Sequence, residues 1–112
     1  MTQIPSTDVA HVPDPLPAEL PVLDVREPHE WEAGHIDGAV HVPLGELSDR
    51  LGEVPTAQPL LVTCKAGGRS AKAVEFLTAQ GYDAVNLDGG MLAWEQAARP
   101  MVSETAEDPR VV

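Results

Sequence analysis

Apolar residues occur along this chain in short runs of two kinds, and the order of those kinds predicts its architecture. Val22-Leu23-Asp24-Val25, Ala39-Val40-His41-Val42, Leu60-Leu61-Val62-Thr63 and Ala84-Val85-Asn86-Leu87 are short and rich in β-type residues. Being partly alternating and partly continuous, they predict four strands with both faces largely covered. Between them fall Pro28 to Ala33, Leu44 to Leu51 and Ser70 to Gln80, with Met91 to Ala98 after the last, all of helical character. In the third of these, Ala73, Val74, Phe76 and Leu77 form a core stripe while Lys72 and Glu75 face water. Strand and helix in alternation predict an α/β domain on an open parallel sheet, with helices on both faces. Ile4 to Val9 is a candidate edge strand, which sets the sheet at four to five strands.

The ends depart from this pattern. Val12 to Pro21 holds four prolines and predicts an irregular approach, so residues 1–20 are read as an N-terminal segment and 21–100 as the domain. Residues 101–112, with Ser103-Glu104-Thr105-Ala106-Glu107-Asp108 at their centre, are expected to be a disordered acidic tail. At 112 residues and 43% hydrophobic content, the chain suits one domain with one core. The opening Met1-Thr2-Gln3-Ile4-Pro5 has neither a basic region nor an apolar one, and no run approaches membrane-spanning length, so a cytoplasmic protein is expected.

Candidate chemistry gathers where the third strand meets its helix. The only cysteine opens the loop Cys64-Lys65-Ala66-Gly67-Gly68-Arg69-Ser70, and helix N-termini present unpaired N–H groups that favour a thiolate. Two glycines and two cations make poor core material, so Cys64 is read as a nucleophile rather than an apolar filler. Charge sharpens this reading. The chain has 7 Lys and Arg against 18 Asp and Glu, a net charge of −11, yet no acidic residue lies between Glu53 and Glu75. Lys65, Arg69 and Lys72 all fall inside that window. A locally positive loop on an acidic protein favours a small anion and disfavours nucleic acid or an anionic membrane. Gly67 and Gly68 allow the backbone to curl around such an anion, with Lys65 and Arg69 to hold its oxygens.

Three separated motifs together resemble the rhodanese-like sulfurtransferases: Leu23-Asp24-Val25-Arg26-Glu27 continuing through Trp31, Gly34-His35-Ile36 and Gly38-Ala39; the loop Cys64 to Ser70; and Asp88-Gly89-Gly90-Met91 with Ala93-Trp94. The resemblance implies a rhodanese fold and a loop cysteine that takes the outer sulfur of a donor such as thiosulfate. That sulfur would be held as a persulfide and passed to cyanide or a thiol, a protein thiol included. By this carry-over Cys64 is catalytic, Lys65, Ala66, Gly67, Gly68 and Arg69 bind the substrate, and no cofactor or metal is needed. Ser70, Asp24, Arg26 and His35 are supporting. Asp24 and Arg26 either reach the loop or pair with each other, and His35 is read as a hydrogen-bonding residue. His29, His35 and His41 recur every six residues, which matches no familiar ligand spacing. Trp31 and Trp94 read as core or half-buried aromatics. Two alternatives stay open. One is a phosphatase or arsenate reductase of the same fold, which would want five residues between cysteine and arginine where this loop has four. The other is a non-catalytic or persulfide-relay module serving a protein partner.

Overall fold

A computed structural model describes residues 4–112. Five parallel strands, β1 (Ser6–Thr7), β2 (Val22–Asp24), β3 (Val40–His41), β4 (Leu60–Thr63) and β5 (Ala84–Leu87), form one sheet in the order β1-β5-β4-β2-β3. The edge strand expected within Ile4 to Val9 is β1, which runs beside Asn86 and Leu87. β4 therefore lies at the centre, where its four residues are all buried.

Strand alternation sorts the core into two layers. Leu60 and Val62 of β4, with Leu23 and Val25, face a cluster that contains Ala73, Val74 and Leu77 of helix α2 (Gly68–Ala79). Leu61 and Val22 point the other way, toward Met91 and Trp94 of helix α3 (Gly90–Gln96). Helices on both faces satisfy a parallel sheet, since each face is apolar and neither can be left in water. The stripe expected on α2 holds, with Phe76 half-buried and Lys72 and Glu75 exposed.

Helix α1 (Pro28–Ala33) forms over the expected residues because its first turn is capped locally. Pro28 supplies the fixed φ of a first helical residue, and the Glu30 carboxylate accepts the Glu27 N–H at 2.9 Å. The expected helix from Leu44 to Leu51 is instead two short 3₁₀ turns, Leu44–Glu46 and Leu51–Glu53. Gly45, Ser48 and Gly52 lower helical propensity there, and the apolar spacing survives because Leu47 and Val54 still reach the core. α2 begins two residues before the expected Ser70, since Gly67 at φ +106° turns the chain directly into the helix.

The tail expected to be disordered lies against the domain. Val102 pairs with His35 through two backbone hydrogen bonds, and the Glu104 and Arg110 N–H groups donate to Glu32 O and Ala33 O. Those carbonyls end α1 and have no partner within their own helix, which is why an extended segment finds donors wanted there. Met101 and Val111 pack on the α3 layer, so apolar residues on both sides of the acidic stretch anchor it. The proline-rich approach is held by Arg99, whose buried guanidinium donates to Val9 O, Val12 O and Pro13 O and lies 4.3 Å over the Trp94 ring. Among the described residues no helix is long and apolar enough to cross a membrane.

Candidate functional site

Cys64 continues the alternation of β4. Leu60, Val62 and Cys64 share one face, so the sheet delivers the sulfur beneath the N-terminus of α2 and leaves the residue 1% exposed. Gly67 N donates to Cys64 Sγ at 3.0 Å and the Ser70 hydroxyl donates at 3.3 Å. Burial pushes the thiol up, but the hydrogen bonds from the Ser70 hydroxyl and from the Ser70, Gly67 and Ala66 amides outweigh it. The thiol consequently titrates below its usual value, as a nucleophile requires.

Those amides face the sulfur because the loop carbonyls are held on the other side. Met91 N donates to Cys64 O at 2.8 Å and Leu92 N to Lys65 O at 3.0 Å, both from the first turn of α3. The Asn86 side chain donates to Gly67 O at 3.2 Å from β5. In a trans peptide the N–H points opposite the C=O, so fixing Lys65 O toward α3 aims Ala66 N–H back at the sulfur. Gly90 makes this approach feasible. It stands at φ +54°, and a Cβ there would collide with the Cys64 and Lys65 carbonyl oxygens. Asn86 and Gly90 are the supporting residues that sequence reasoning did not single out, although Gly90 lay within a motif already noticed.

The cations divide. Lys65 is half-buried and makes no ion pair among the described residues. Arg69, expected to be available to a donor's oxyanion, is instead in a bidentate pair, with Nη1 2.7 Å from Glu30 Oε1 and Nη2 2.9 Å from Glu30 Oε2. Sequence gave no warning of this partner, because an acid-free window in sequence is not acid-free in space. The Arg69 hydrogen bonds hold the Glu30 carboxyl down at about 2, so it is ionised at any physiological pH. Arg69 in turn is raised, first by Glu30 and also by the charge of the nearby Cys64 sulfur. Of the loop, Ala66 and Gly68 are exposed, Gly67 is half-buried and Ser70 is fully buried.

Asp24 and Arg26 pair with each other. Arg26 Nη2 lies 2.7 Å from Asp24 Oδ2 and donates onward to Gly34 O, with both side chains buried, and neither hydrogen-bonds the cysteine loop among the described residues. They fix the turn between α1 and β3 beside the site. His35 belongs to the same turn and to the tail, with Nδ1 3.0 Å from Ile36 O and Nε2 2.9 Å from Glu104 Oε2. Its ring stacks on Trp31, as does that of His41, which explains two of the three spaced histidines. A cavity of about 430 Å³ is lined largely by the segment from Thr7 to Leu20, a second of about 410 Å³ lies between that segment, the turn at residues 36–38 and Trp94, and neither is walled by the cysteine loop.

The model of the rhodanese-like domain matches residues 10–97. A sulfurtransferase of Allochromatium vinosum is 35% identical over 83 residues, covering 73% of this chain and 78% of that protein. A rhodanese-related protein from Thermoplasma volcanium superposes with a TM-score of 0.80 at 34% identity, covering 88% of this chain and 97% of its own. An NAD-dependent persulfide reductase from A. fulgidus includes a similar unit, at 30% identity and a TM-score of 0.68, over 81% of this chain and 16% of the longer one. With that match spanning residues 10–97 and a relative 35% identical over most of its own length, the chain belongs to the rhodanese-like domain family.

Proposed function

We propose that the protein is a sulfurtransferase in which Cys64 carries a sulfane sulfur from thiosulfate or a similar donor to cyanide or a thiol. The observation that carries this reading is the Cys64 sulfur held by Gly67 N–H and the Ser70 hydroxyl at the start of α2. The thiolate attacks the outer sulfur of thiosulfate, a new S–S bond forms, and the old S–S bond breaks with its electron pair leaving on sulfite. Cys64 is left as a persulfide anion, and the same amides that stabilise the thiolate stabilise the outer sulfur. An acceptor nucleophile then takes that sulfur and restores the thiolate. Lys65 and the loop amides receive the donor's oxygens, and no cofactor enters. A reducing, cytoplasmic setting keeps the lone thiol available. The net charge of −11 speaks against nucleic acid and anionic membrane as partners.

A relay role toward a protein thiol is the second reading, favoured by the similar unit inside the A. fulgidus persulfide reductase. Phosphoryl transfer fits poorly, since four residues separate Cys64 from Arg69 and Glu30 already occupies that arginine. Intact-protein mass spectrometry tests the proposal. Thiosulfate should add one sulfur atom and cyanide should remove it, with no addition to Cys64→Ser. A wild-type mass unchanged by thiosulfate would reject the reading for that donor.

A further inference from the structure

We infer that Glu30 is a specificity-determining residue that acts through Arg69, weighting the site toward donors whose sulfur end carries at most a single charge, the organic hydropersulfides, over the thiosulfate dianion. This rests on the sulfur-transfer reading of Cys64. Two observations carry it. Glu30 is tied on both sides, accepting the Glu27 N–H at 2.9 Å and both Arg69 Nη groups, and its side chain is 8% exposed, so it is a fixed charge rather than a passing surface contact. Arg69 meanwhile stands in the first turn of α2, directly before Ser70, whose hydroxyl donates to Cys64 Sγ at 3.3 Å, so the pair lies beside the reacting sulfur.

Charge at the mouth then nearly cancels. The Glu30 carboxylate neutralises Arg69, and Lys65 offsets the Cys64 thiolate, so a dianion gains little net attraction. A hydropersulfide loses less from that balance. In its reaction the Cys64 thiolate bonds to the outer sulfur of R–S–SH and the donor S–S bond breaks. The R–S sulfur leaves with the electron pair and takes up the proton. Both donors give the same Cys64 persulfide, so the residue discriminates at the approach of the donor and not in the product.

The test compares kcat/KM for thiosulfate with kcat/KM for cysteine hydropersulfide in wild type, Glu30→Gln and Arg69→Gln. Glu30→Gln keeps an acceptor for the Glu27 N–H and removes only the charge, so the thiosulfate-to-hydropersulfide ratio should rise by about three- to tenfold at low ionic strength. High salt should flatten that rise. Arg69→Gln leaves the carboxylate unpaired beside the loop and should move the ratio the opposite way. A pair that only braced α1 against α2 would lower both donors together in both variants. A ratio unchanged in Glu30→Gln, or falling in both variants, would overturn the inference while leaving sulfur transfer intact. A wild-type Cys64 that takes sulfur from neither donor would instead reject the underlying reading.

Discussion

Burial disfavours a thiolate, so Cys64 in its pocket would be an inert thiol if its surroundings offered no donors. Among the described residues Ser70 supplies the only side-chain hydroxyl bonded to the sulfur, and that bond lowers the thiol's pKa. Ser70→Ala is therefore expected to raise the thiol's pKa. The sign follows directly: with a higher pKa the thiolate fraction falls at neutral pH and recovers only in alkali. Iodoacetamide labelling should slow by about tenfold near neutrality, in line with loss of one charge-assisted hydrogen bond, and converge with wild type at high pH. Superimposable labelling profiles would show that the amides suffice. Cys64, Gly67 and Ser70 were legible in sequence because one loop and one helical turn contain them all. Glu30 was not, because it meets Arg69 only once the fold brings its side chain to the start of α2, 39 residues away in the chain.

At the scale of elements, α3 works as a brace. Its first turn gives two N–H groups to the loop carbonyls, which is possible only because the chain enters it through Gly89 and Gly90, both at positive φ. Gly90→Ala should cost on the order of 2–4 kcal/mol, combining backbone strain with collision against the loop. It should also slow Cys64 labelling, since the displaced carbonyls no longer hold the amides in place. Gly68→Ala is the control, because its Cβ position meets nothing within 4 Å and its φ is ordinary. Denaturant titration of the two variants decides, and equal midpoints would remove α3 from this role. The strands and α1 were readable from apolar runs and a capping pattern. Leu44 to Leu51 was not, because apolar spacing reports which residues face the core and Gly45 decided how tightly the backbone coils.

Across the molecule, the segment from Val9 to Pro13, ahead of β2, and residues 101–111, after α3, are tied back to the domain. Arg99 ties the approach segment to α3, and the tail caps α1 and packs Met101 and Val111 on the core. Removing residues 101–112 should lower unfolding free energy by about 1–3 kcal/mol through uncapped carbonyls and lost apolar burial. Thermal unfolding of the shortened chain checks this, and an unchanged midpoint would mean that the contacts contribute nothing. The acidic composition of 103–108 concealed the role, since composition describes solubility and not which carbonyls lie nearby. The depth of Cys64 has a consequence for chemical durability. Disulfides need their two sulfurs about 2.05 Å apart and their Cβ atoms about 3.8 Å apart. A cysteine 1% exposed beneath a helix end cannot meet its equivalent on another copy while both are folded, and the chain has no second cysteine to attack it from within. Crowding and mild oxidants should leave the folded protein free of covalent dimers.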